Sequence, residues 1–268
     1  MNELRPTVIA LPCSGSSGSQ WQSLTVALNG RCRVHAPNLL DYAAAVAISP
    51  NRDFTMLDEA RSVLEIIDRA VSPIHLVGHS YGGAIALRAA VARPHRISSI
   101  TLFEPTLFHL LEQTCPKDFQ ALGEIQQLAR GVARFNGLGK PAAAARLFVD
   151  YWAGGSIWAK LRPASTEALV QYAPKAPLEF SALFNEPMRL QDYAKLLVPI
   201  FIMKGEFAPA PTDRIARRLA DNLPISVHAT IPGMGHMAPV TNGELIAAEI
   251  ANFVTHTDLA SVGRPVAA

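Results

Sequence analysis

The chain has 268 residues, 49% of them apolar and 17% charged, with a net charge of +2. That composition supports a packed core and excludes a disordered chain. With no basic stripe and no acidic tail, it also argues against a nucleic-acid partner. Cys13, Cys32 and Cys115 form no disulfide framework. No cysteine–histidine group has zinc-ligand spacing, and no metal or other cofactor is expected.

Residues 1–6 are polar, and the apolar run at residues 8–11 is too short for a signal-peptide core. No stretch of 18 apolar residues exists, so a cytoplasmic protein with no membrane partner is expected. Thr7–Leu11 reads as a buried strand, followed by a flexible Pro-Cys-Ser-Gly-Ser-Ser-Gly loop. Residues 20–28 read as a helix, 32–36 as a second strand and 37–50 as a surface loop. Residues 54–70 carry apolar positions on one helical face. Residues 74–77 form a third strand, 78–83 a tight turn and 84–92 an Ala-rich helix. Ile97–Phe103 is a fourth strand.

Strand–helix alternation with short turns predicts a parallel sheet covered on both faces. The rhythm stops after Glu104-Pro105. Residues 106–195 hold helix-like segments (119–130, 142–152 and 166–172) and no strong strand. The rhythm resumes with strand 198–204, helix 212–222, strand 226–231 and helix 245–253. Residues 258–268 read as a frayed tail. The expected architecture is α/β: a core of residues 1–105 and 196–268 carrying a helical cap of residues 106–195.

Gly78-His79-Ser80-Tyr81-Gly82 lies between a strand and a helix. A turn that sharp strains the backbone at Ser80 and projects its hydroxyl from the sheet edge. The glycines permit close backbone approach. The helix N-terminus adds unpaired N–H groups where an oxyanion would form.

Four landmarks now stand in order: the loop LPCSGSSGSQW, the elbow LVGHSYGG, the strand end LFEP and the late GMGHM. Together they resemble the α/β-hydrolase fold along nearly the whole chain, with a mostly parallel sheet flanked by helices. The resemblance implies a serine hydrolase with Ser80 as nucleophile. It also places the activating base at His236, after the last strand. His79 lies inside the elbow, His228 within the preceding strand, and His75 and His95 too early in the chain.

Family members usually carry an Asp in a Gly-x-x-Asp stretch after the penultimate strand; here that position is Ala208. Three carboxylates compete for the role of acid. Glu206 is two residues early, and Asp213 reads as a helix first-turn residue. Glu104 ends the fourth strand, 24 residues after Ser80, and is similarly placed to the acid of lactone hydrolases that open zearalenone. Glu104 is the expected acid, with Glu206 the alternative. The oxyanion hole is expected from the backbone N–H groups of Ser14 and Tyr81.

The cap is rich in aromatic residues and shows no Arg or Lys cluster suited to phosphate. Cys13, His109, Trp152 and Trp158 are the expected pocket neighbours. The resemblance therefore implies hydrolysis of a mid-sized, largely apolar ester or lactone through an acyl-enzyme, by a monomer or homodimer. Carbon–carbon bond hydrolysis of a ring-cleavage product uses the same triad. A non-catalytic ligand-binding protein is the alternative from another class.

Overall fold

In the computed structural model, which describes residues 5–262 with side chains to residue 257, six strands pair in parallel in the order β2-β1-β3-β4-β5-β6. They are β1 (Thr7–Leu11), β2 (Arg33–His35), β3 (Ile74–His79), β4 (Ile97–Phe103), β5 (Ile200–Phe207) and β6 (Ser226–Gly235). β1, β3 and β4 are almost entirely buried, because a parallel sheet with helices on both faces leaves its inner strands no wet side. Alternate residues feed two apolar layers. Ile9, Leu11, Leu76, Ile100 and Leu102 pack into one. Val8, Ala10, Val77, Phe103 and Met203 pack into the other.

The first half carries α1 (Gln22–Ala27), α2 (Tyr42–Ile48), α3 (Met56–Arg69) and α4 (Tyr81–Ala92). α3 starts in a reciprocal cap: Thr55 Oγ1 accepts from the Asp58 N–H, and the Asp58 carboxylate accepts from the Thr55 N–H. Between β4 and β5 the regular elements are helical: α5 (Pro116–Gly137), α6 (Pro141–Trp152), α7 (Pro163–Tyr172), α8 (Ala176–Phe184) and α9 (Leu190–Tyr193), with two short 3-10 turns. Pro at the first or second position opens α5, α6, α7 and α8, where its missing N–H has no helical partner to lose. α10 (Ala210–Asn222), α11 (Ala238–Thr241) and α12 (Gly243–Val262) complete the chain.

Several expectations change. Residues 37–50 are not all loop: α2 forms there, with Asp41 capping the Ala44 N–H at 2.8 Å. The flanking prolines hid an Ala-rich run. The tight turn shrinks from residues 78–83 to Ser80 alone, because β3 runs through His79 and α4 begins at Tyr81. α8 and α9 form where no helix was expected. The supposed tail is helical to Val262, and its last six residues lie outside the described residues.

Candidate active site

The site lies at the carboxyl edge of β3, β4, β5 and β6. Register places its two anchors side by side. His79 pairs with Phe103, so Ser80 and Glu104 are the next residues on adjacent strands. Ser80 donates its N–H to Phe103 O (3.0 Å) and Glu104 donates to Met203 O (2.9 Å). Both leave their strands in the left-handed region, Ser80 at φ 56° and Glu104 at φ 44°. For residues with a Cβ that conformation costs about 1–3 kcal/mol and persists only where the surroundings enforce it. At Ser80 the enforcement is visible. A Cβ on Gly82 would sit 2.4 Å from both Leu11 O and Pro12 O, so α4 lies flush against the loop after β1.

His236 follows β6 and bridges the two anchors. Its Nε2 lies 3.0 Å from Ser80 Oγ, and its Nδ1 lies 2.7 Å from Glu104 Oε2. All three side chains are buried. Glu104 also accepts from the Gly205 N–H (2.8 Å, to Oε1) and the Thr212 hydroxyl (2.8 Å, to Oε2). These donors fix the orientation of the carboxylate. A carboxylate, an imidazole and a hydroxyl in this order can hold the ring in one tautomer and take the hydroxyl proton.

The other candidates fall elsewhere. Glu206 is exposed and accepts from the Gly233 N–H at 2.8 Å. Asp213 stands in the first turn of α10, paired with Lys204 and Arg217. His228 and His95 are exposed, and buried His75 shares a hydrogen bond with Ser99 Oγ (2.7 Å). His79 supports the site from behind. Gln20 Oε1 accepts from the Cys13 N–H (3.2 Å), Gln20 Nε2 lies 3.1 Å from His79 Nδ1, and His79 Nε2 lies 2.9 Å from His236 O. Burial first, and His236 second, push the His79 pKa well below its usual value. A neutral ring that receives from Gln20 and donates to His236 O satisfies every partner.

Because Cys13 N–H is committed to Gln20, Ser14 offers the next backbone donor along the loop. Burial, reinforced by nearby Glu179, pushes the Cys13 thiol up to about 12, which leaves it unsuited to act as a thiolate nucleophile.

Ser14, Ser80, Thr106, Phe108, Trp152 and Glu179 line a narrow cavity, along with further apolar residues of α6, α7 and α8. Its volume of about 10 Å³ is roughly the space one water needs. The Trp152 ring lies over the His236 imidazole, with centroids 4.3 Å apart. Trp158 does not line the cavity; it sits half-buried in a 3-10 turn, its backbone N–H donating to the Asp150 carboxylate. His109 also turns aside, toward Leu183 O and the Tyr193 hydroxyl, and burial lowers its pKa to about 4.

Sequence reasoning missed the polar residues Tyr172 and Glu179 of this wall, and Glu59 and Lys175, which are linked to them. Glu179 Oε2 accepts from Ser14 Oγ and from the Tyr172 hydroxyl (2.6 Å). Lys175 Nζ bridges Glu59 (2.7 Å) and Glu179 (3.1 Å). A signal was present, since Lys175 and Glu179 stand four apart around the apolar run Ala-Pro-Leu. Among the described residues no group of three or more His, Cys, Asp or Glu could hold a metal ion, and no helix is long and apolar enough to cross a membrane.

Residues 8–249 match the model of the alpha/beta hydrolase family. Lipase LipV of Mycobacterium tuberculosis is 29% identical over 75 residues, covering 28% of each chain. The putative carbamate hydrolase RutD of Variovorax paradoxus is 35% identical over 78 residues, 29% of this chain and 26% of that one. The chain thus matches little more than a quarter of these curated relatives' length. A hydrolase structure from Pseudomonas aeruginosa PA01 superposes with a TM-score of 0.70 at 18% identity, covering 93% of this chain and 90% of the other. A thermophilic esterase from Thermogutta terrifontis gives 0.69 at 17%, covering 94% and 90%.

Proposed function

The chain belongs to the alpha/beta hydrolase family, and from that premise we propose that it hydrolyses largely apolar carboxylic esters or lactones with a Ser80–His236–Glu104 triad. The observation that carries this reading is the unbroken hydrogen-bond chain from Ser80 Oγ through His236 to Glu104.

Ser80 Oγ attacks the acyl carbon as His236 Nε2 takes its proton. Glu104 holds Nδ1–H and stabilises the imidazolium that results. The carbonyl oxygen gains charge against the N–H groups of Ser14 and Tyr81. His236 then gives its proton to the departing alkoxide, leaving an acyl-Ser80. Water, activated by the same imidazole, attacks that ester, and Ser80 recovers its proton as the acid leaves.

Phe108, Phe148, Trp152, Phe180 and Leu183 give the cavity an apolar lining. The nearest ionised cluster has two carboxylates to one ammonium, which suits a neutral substrate better than an anionic one. Helices α5 to α9 are read as a cap over this cavity. Three cysteines without a disulfide are compatible with a reducing, cytoplasmic setting.

A fluorophosphonate probe tests the proposal. Ser80 is expected to be labelled in the wild type and labelling to vanish in Ser80→Ala. A folded wild-type protein that takes up no probe would sink the reading.

A further inference from the structure

Two side chains tie the proposed oxyanion donors to one buried ion cluster. Ser14 Oγ donates to Glu179, and the Tyr81 hydroxyl donates to Glu59 at 3.2 Å. Lys175 Nζ bridges the two carboxylates. The ties arrive from opposite directions. Ser14 lies on the loop after β1 and Tyr81 on the first turn of α4, while Glu59 projects from α3. Lys175 and Glu179 belong to the α7–α8 segment of the helical block. The backbone groups that must sit a fixed distance apart are therefore each fastened, through their own side chains, to opposite ends of a Glu–Lys–Glu bridge.

The bridge is buried. Glu59 is 0% exposed, Lys175 2% and Glu179 3%. Glu59 Oε1 also accepts from the Leu40 N–H (2.7 Å), and Lys175 lies 5.7 Å from the Tyr81 ring centroid. Removing one partner of such a group leaves a buried charge uncompensated, so the cluster has few alternative arrangements. Its members come from both the core and the helical block, and it is complete only when α8 lies on the β1 loop and α3.

We propose that Lys175, with Glu59 and Glu179, is a positioning centre that sets the spacing of the Ser14 and Tyr81 N–H groups and links that spacing to the seating of the helical block. This rests on the reading of Ser14 and Tyr81 as the oxyanion donors. The three residues touch no reacting atom; they act through the segments they hold. A hole held open in this way favours the tetrahedral species over the planar ester, because preorganised donors act where charge develops.

The test compares a tetrahedral adduct with ground-state binding. Lys175→Met and the double variant Ser14→Ala/Tyr81→Phe are assayed on p-nitrophenyl esters, for inhibition by an apolar trifluoromethyl ketone and for fluorophosphonate labelling. The double variant keeps all three charges and both backbone donors, so it stands in should Lys175→Met fail to fold. Expected are a loss in kcat of about 10²-fold for Lys175→Met and about tenfold for the double variant. Ketone affinity should fall in parallel, with KM within about threefold. Folded variants whose kcat and ketone affinity stay within threefold of wild type overturn the proposal while leaving the hydrolase reading intact. Wild-type protein that resists the fluorophosphonate overturns both.

Discussion

Glu104→Gln isolates the charge of the proposed acid, because the two side chains nearly match in shape. In the structure Glu104 Oε2 lies 2.7 Å from His236 Nδ1. The centres of an imidazolium and a carboxylate bonded this way are about 4 Å apart, worth about 4 kcal/mol at an effective dielectric near 20. That is roughly 10³-fold in rate. The amide can also present an N–H to Nδ1, which favours the wrong tautomer and adds up to about another tenfold. A fall in kcat of about 10³- to 10⁴-fold is therefore expected, with KM little changed. Glu206→Gln is the matched control: that carboxylate is exposed and accepts from the Gly233 N–H, away from His236, so its variant should stay within about threefold. Steady-state kinetics on a p-nitrophenyl ester, with circular dichroism to confirm folding, decides the matter. A folded Glu104→Gln within tenfold of wild type, or a larger loss in Glu206→Gln, refutes the assignment.

Three further outcomes follow from the geometry. Gly82→Ala should destabilise the protein by about 1–3 kcal/mol in thermal melts and slow Ser80 labelling, because the new Cβ meets two backbone carbonyls at 2.4 Å. Phe180→Ala should lower stability by about 3–5 kcal/mol and shift preference toward bulkier acyl groups in a p-nitrophenyl ester series, since it removes a ring from the cavity wall. Asp58, hydrogen-bonded first of all by Arg52, has a pKa lowered to about 2. A depressed carboxylate stabilises the fold above its unfolded pKa near 4 and loses that contribution as pH falls through about 2. Asp58→Asn should therefore be less stable than wild type at pH 7, and the gap should close toward pH 2 in urea titrations.

The sheet and the elbow were legible because their signals are local. β1 is a short run of apolar and β-branched residues, β4 closes on Ile-Thr-Leu-Phe, and Ser80 sits between glycines that only a sharp strand-to-helix turn explains. The contact of Glu104 with His236 was legible from the place of Glu104 at a strand end, combined with Ala208 where an Asp was expected. Where the inward face of a helix decides, the sequence says less. Trp152 and Trp158 look equivalent in the chain, yet only Trp152 lies on the cavity side, because α6 turns it toward His236 and Trp158 falls in the turn beyond. The link from Glu59 to the Lys175–Glu179 pair was invisible for a related reason. Glu59 and Lys175 are 116 residues apart, and no pattern within either helix announces a partner in the other.

The side-by-side register of Ser80 and Glu104 also bears on how the protein is made. Serine and carboxylate lie on neighbouring strands joined through α4, so one strand–helix–strand unit carries both. The imidazole comes 132 residues after Glu104, beyond the whole helical block and two more strands. Chains emerge amino end first and fold as they lengthen. On the proposed mechanism, every truncated product that stops short of His236 is inert, however much of its sheet has formed. Hydrolytic competence thus reports that translation has passed the last strand.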